Sequence, residues 1–214
     1  MKILRWLFAL VMLIATTEAM AAGHSVDVYY GYNGDSRNIA TFNLQASDTT
    51  HIADMLAYAQ AHSNTTASQL GQAYKNSAAN MNAAGQTIET TTAILEALAN
   101  NGLRSAESGT ALAAVMRDMT SKMEDGAIAI GDTSVKVMDS RGNFRDMLDI
   151  LKDVEKATNG MGDAQKQAAL LSTFTSDSIK ALNMMLNTGA DEIAGYREEL
   201  ENCAGAAEEM GDTM

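Results

Sequence analysis

"NNGLRSAESGTALAAVM" (residues 100–116) decides the fold. Asn101-Gly102 reads as a helix stop, because glycine adopts the left-handed conformation that closes a helix end. Ser105 is a residue type that caps a helix start. From there Leu112, Val115, Met116, Met119 and Met123 recur at three- and four-residue spacing, which marks one helical face. Gly109 and Ala113 lie four apart on one side, small enough to admit a second helix closely. The stretch is a tight helix–turn–helix corner, and nothing in it suits catalysis.

Working outward, the same grammar repeats. Ile52, Met55, Leu56 and Ala59 form a stripe after Ser47 and Asp48, and "HSNTT" (62–66) breaks it. Leu70, Ala73, Tyr74, Ser77, Ala78 and Met81 form a second. Thr87 caps a third, with Glu89 in its first turn and Thr91, Ile94, Leu95 and Leu98 along its face. Downstream of the corner, Ser134 to Met138 alternates around Val135 and Val137, and Asp139-Ser140-Arg141-Gly142 reads as a turn. This predicts one small β-hairpin near 134–145. Helices then follow over Phe144, Met147, Leu148, Leu151 and Val154; from Asp163 through Leu170, Leu171 and Phe174; and from Ser176 through Ile179, Leu182, Met185 and Leu186 to Gly189.

The last segment has a different period. Ile193, Tyr196, Leu200, Cys203, Ala207, Met210 and Met214 are spaced three and four in alternation, a coiled-coil-like seam. Glu198, Glu199, Glu201, Glu208 and Glu209 surround it. The pattern is still running at Met214, which reads as truncation; the seam is the candidate for self-association, with an equally open alternative that its partner is another helix of the same chain. The fold expected is mainly α: an array or bundle of seven or eight short helices, one hairpin and a coiled-coil-like C-terminal helix.

Composition agrees. Apolar residues make up 46% of 214 and aromatics only 5%, while methionine numbers 15 and proline is absent. Such a core is built of Ala, Leu, Ile and Met, and a proline-free chain favours helices. The net charge of −12 argues against a nucleic-acid surface or an anionic membrane surface.

The head of the chain differs. Lys2 and Arg5, the apolar run Trp6 to Ala15 and Ala19-Met20-Ala21 have the three parts of a secretory signal. Val26, Val28 and Tyr30 then alternate as a short strand, and Asn33-Gly34-Asp35 is a turn. The chain divides into residues 1–22, a signal-peptide-like or hydrophobic N-terminal segment; 23–38, a short β/turn segment; and 39–214, the helical region.

Chemistry is sparse. His24, His51 and His62 are joined by no cysteine or carboxylate cluster, so they read as ordinary polar positions rather than metal ligands. Cys203 lies on the heptad stripe with no histidine nearby in sequence. "DSRGN" (139–143) lacks the alternating ligands of a calcium loop. Neither a dinucleotide nor a nucleotide-phosphate loop is present. No catalytic, cofactor or metal site is expected.

Four phrases carry a resemblance. They are "FNLQASDTTHIADMLAYAQAHSNTTASQLGQAYK" (42–75), "AILEALANNGLRSAESGTALAAVMRDM" (93–119), "VKVMDSRGNFRDMLDILKDV" (135–154) and "ALNMMLNTGADEIAGYREELENCAGAAEEMGDTM" (181–214). In this order, over about residues 40–214, they resemble the core region of phage tail tape measure proteins. The resemblance implies an extended helical scaffold around which tail-tube subunits polymerise, with tail length following rise per residue, about 1.5 Å in a helix. It implies no enzyme activity and no cofactor. The implied partners are the tail tube protein, tail assembly chaperones, tail-tip proteins and other copies of the chain. The implied place is the virion tail, assembled in the host cytoplasm. A different reading stays open: a small exported helical binding or adhesion module, or an inactive truncated prophage remnant.

Overall fold

The structure, a computed structural model, describes residue 42 and residues 48–213. The expected signal-like segment, the strand at 26–30 and Met214 lie outside the described residues. Among the described residues, nine helices and one hairpin follow in order: α1 (Thr49–His62), α2 (Ala67–Ala83), α3 (Ile88–Asn100), α4 (Ser105–Lys122), β1 (Ala127–Ile130), β2 (Thr133–Lys136), α5 (Met147–Thr158), α6 (Asp163–Leu170), α7 (Ser176–Thr188), α8 (Ala190–Glu201) and α9 (Ala206–Thr213).

The expected stripes become the buried faces. In α2 the buried set is Leu70, Ala73, Tyr74, Ser77, Ala78 and Met81, the stripe read from spacing. Thr66 starts that helix with a capping box: its hydroxyl accepts from Gln69 N, and the Gln69 side chain accepts from Thr66 N at 3.2 Å. The break at "HSNTT" is thus one helix ending at His62 and another beginning at Ala67.

Helix α3 goes further than its stripe. Ile88 and every residue from Thr90 to Ala99 are buried, so the helix is enclosed all round. Its threonines fit because their hydroxyls are satisfied locally: Thr92 Oγ1 bonds Ile88 O at 2.6 Å and the Tyr74 hydroxyl at 2.6 Å. Helices α1, α2, α4, α7 and α8 all touch α3.

The corner from 100 to 116 folds α4 tightly onto α2. Gly102 is left-handed, with φ +89°. At Gly109 an added Cβ would stand 2.1 Å from the Ala73 carbonyl oxygen, so the two backbones nearly touch there. Ser105 is displaced from its expected role. Arg104 occupies the cap position with extended backbone, and Ser105 is the first helical residue, with φ +60°. The Ser105 hydroxyl donates instead to the Gln72 side chain, and Asn76 Nδ2 donates to Ala106 O at 3.0 Å. The start of α4 is fastened to α2 rather than capped from within.

The hairpin is present, with an earlier partner than expected. Strand β2 pairs antiparallel with the preceding β1, from Ala127↔Lys136 to Ile130↔Thr133, around a two-residue turn at Gly131-Asp132. The Asp139–Gly142 turn is real but closes a single bridge, Met138↔Phe144. The physical reason is that Ile128 and Ile130 alternate as well as Val135 does, and all three are buried. Leu171, expected on an apolar face, is 56% exposed just after α6, while Phe174 turns into the core.

The largest difference is at the C-terminus. The expected single helix is two, and the coiled-coil-like continuation is absent among the described residues. Residues 202–205 interrupt it, with Gly205 at φ +88°. Helix α8 lies against α3 and α5, whereas α9 folds back on α1.

Candidate functional site

The seam could pair with another copy or with a helix of its own chain; the structure packs most of it into the core. Ile193 and Leu200 have no exposed area, and Cys203 is 5% exposed. Tyr196 is partly buried, and its hydroxyl donates to Glu192 Oε1 at 2.5 Å. Ala207 and Met210 are half-buried on α9, where Gln60 Nε2 of α1 meets Met210 Sδ at 3.6 Å. The partner of the seam is therefore this chain itself, through α3, α5 and α1.

The break between α8 and α9 has a definite cause. Asp54 of α1 is buried, and its carboxylate accepts from Gly205 N and Ala207 N, each at 3.0 Å. It caps α9 from a different helix, a favourable place for negative charge at a helix N-terminus. Two more carboxylates do the same. Asp118 of α4, also buried, takes Thr175 N at 2.9 Å, Thr175 Oγ1 at 2.7 Å and Ser178 Oγ at 2.5 Å at the start of α7. Burial would raise its pKa, but these bonds from Ser178 and Thr175 hold it below the ordinary range. Glu155 of α5 takes Ala190 N at 2.6 Å at the start of α8, beside Gly189 (φ +95°). Gln86 plays the neutral version: its Oε1 accepts Met147 N at 2.7 Å, and its Nε2 donates to Ala84 O and Arg145 O. Arg197 of α8 ties to Asp146, the cap of α5, at 2.7 Å.

One acid has no such work. Glu96, in the middle of α3, is 4% exposed, and its Oε1 has no hydrogen-bond partner. Burial, then the Glu199 charge on α8, pushes its carboxyl up to about 8. Nearby, burial and Glu199 also raise the Tyr58 phenol. Burial, then Asp54, raises the Cys203 thiol, which donates to Leu200 O at 2.9 Å. Such a thiol is a poor nucleophile.

The remaining expected positions are scattered. Asp139 accepts from Arg141 N at 2.8 Å and Asn143 N at 2.9 Å, closing the turn that holds Gly142 at φ +87°. Those backbone bonds, that from Asn143 first, keep its carboxyl below the usual range. Together with Lys122, Glu124, Lys136 and Arg145, this turn borders an open groove beside the hairpin. The groove mixes both signs of charge. His51 pairs with Glu89 at 3.0 Å, and His62 stacks on Tyr58, so the two histidines do not converge. Among the described residues no group of three His, Cys, Asp or Glu gathers as a metal ion requires. No helix of the described residues is long and apolar enough to cross a membrane.

What this arrangement does well is hold helices to helices, and the comparisons with known proteins fall in the same place. The model of the phage-related minor tail protein family matches residues 35–175. The chain belongs to that family. It is a family of structural phage tail proteins, and membership points to a structural role in a tail. The chain is 24% identical over 195 residues to the tape measure protein of Pneumococcus phage Dp-1, covering 91% of this chain and 17% of that protein. It is 27% identical over 153 residues to the probable tape measure protein of Escherichia phage P2, covering 71% of this chain and 19% of that one. A third stretch of 45 residues is 98% identical to the uncharacterized protein YfcO of Escherichia coli K12, covering 21% of this chain and 16% of that protein. The chain thus spans less than a fifth of the length of each of these relatives. No solved structure matches it.

Proposed function

We propose that this tail protein is a segment of a tape measure protein, serving tail-tube assembly and the setting of tail length. The observation that supports the reading most is the alignment of two tape measure relatives along 91% and 71% of this chain. The partners proposed are the tail tube protein, tail assembly chaperones, tail-tip proteins and further copies of the chain, met during assembly in the bacterial host.

A ruler works through length. Helix α4, with 18 residues, spans about 27 Å. Helices packed side by side around α3 add little to that. In this form the segment acts as a folded module within a longer ruler, and its contribution to length depends on whether it stays packed. The test is to delete the matching segment from the phage P2 protein, or to exchange it for residues 48–213 of this chain, and to measure tails by electron microscopy. The expected result is shortened or absent tails on deletion and restored tails on exchange. Tails of normal length and number after deletion would overturn the reading.

A further inference from the structure

We propose that α8 and α9 form a releasable arm, closed over Glu96 while that side chain is neutral and freed when it ionises. The seat of the arm is α3, and among the described residues Glu96 is the one buried carboxyl with an oxygen, Oε1, that lacks a hydrogen-bond partner. An uncompensated charge there is costly, because water is excluded and no partner replaces it. The ionisable groups facing it are Glu199 and Tyr196 from α8, Tyr58 from α1, Tyr74 from α2 and Cys203 from the α8–α9 link. None is a cation. Helices α4 and α7, also packed on α3, bring no described charge that acts on it. The guanidinium of α8, Arg197, is turned to Asp146 and Glu201.

The arm also has somewhere to go. Ile193, Tyr196, Leu200, Cys203, Ala207 and Met210 keep alternating three- and four-residue spacing straight through the break at 202–205. In the closed form Asp54 fixes that break by capping α9. Lifted off α1 and α3, the segment loses this cap, and its spacing suits one continuous amphipathic helix.

The direction with pH is fixed by the sign of the linkage. The closed-state carboxyl sits at about 8, above its ordinary value of 4.5. Closure is therefore fully favoured below the ordinary value, weakens as pH rises toward about 8 and is level above it. Hydrogen exchange on the full chain at pH 5.5 and 8.5 tests this, with rates divided by those of unstructured peptides at the same pH. Protection of residues 190–213 should fall at least tenfold more than that of α2 and α4 between the two conditions. Glu96→Gln should abolish the difference. As a second readout in the unsubstituted chain, disulfide-exchange labelling of Cys203, scaled to the thiolate fraction of a free cysteine peptide, should rise over the same interval. Equal change in all helices, a differential fall that persists in Glu96→Gln, or flat scaled labelling of Cys203 would each overturn the proposal.

Discussion

At Gly109 a single hydrogen atom decides whether two helices meet. A methyl group there would lie 2.1 Å from the Ala73 carbonyl oxygen and 2.7 Å from the Ala73 Cα. Both are backbone atoms, so no side-chain rotation relieves the clash. Gly109→Ala, usually stabilising within a helix by helix propensity, should here destabilise the chain by about 1–3 kcal/mol, the range for overpacking. Urea unfolding followed by circular dichroism measures it, with Gly195→Ala on α8 as control. Gly195 has nothing within 4 Å of its would-be Cβ, so that substitution should be neutral or stabilising. The four-residue spacing of Gly109 and Ala113 made this contact legible in the sequence. The depth of the approach was not, since spacing names a face but not its partner.

Between elements, carboxylates on one helix cap the start of another. Asp54, Asp118 and Glu155 each accept backbone N–H groups from a helix far away in sequence. Capping by a neighbouring residue is readable in part: the Thr87 cap follows from local sequence, whereas Ser105 yields its cap position to Arg104. Capping across the fold is not, because the partner's position depends on packing. The signal left in the sequence is an acid lodged in an apolar run, as in "HIADML" and "AVMRDM". "AILEALA" around Glu96 carries the same signal, yet Glu96 caps nothing, so the pattern alone does not separate the two cases. The partner of the seam was hidden for a related reason. Heptad spacing fixed which residues are apolar, while Asp54 and Gly205 turned the chain and buried the stripe internally. Asp118→Ala should cost about 1–3 kcal/mol, the penalty for leaving buried donors at Thr175 and Ser178 unpaired. Exchange should speed first at the start of α7, and equal loosening at every helix end would argue against a local cap.

For the whole molecule, the buried seam and the two opposed acids set how the chain behaves in solution. Leu200 is wholly enclosed, so Leu200→Ala should lower stability by about 2–5 kcal/mol by opening a cavity. Sedimentation at pH 7 should show the same mass before and after, because the seam is spent on α3, α5 and α1. A change from oligomer to monomer would place the seam between chains instead. The acids act on stability in opposite senses. The Asp118 carboxyl is held below its ordinary value of 3.8, so its contribution is present above that value and lost as pH falls through the folded-state value. The Glu96 carboxyl, at about 8, contributes most below 4.5 and progressively less as pH rises to about 8. Stability should therefore peak in mildly acid solution, near the interval between the two ordinary values, rather than at neutrality. Replacing Glu96 by glutamine removes only the second slope. Thermal melts from pH 3 to 9 should then show the acid limb unchanged and the neutral-to-alkaline decline flattened. The gain at pH 8 should be at most about 4 kcal/mol, since the carboxyl is raised from 4.5 to about 8 and each tenfold change in proton affinity corresponds to about 1.4 kcal/mol. If the decline survives in Glu96→Gln, the alkaline loss belongs to general repulsion among the −12 net charges, and added salt should then diminish it.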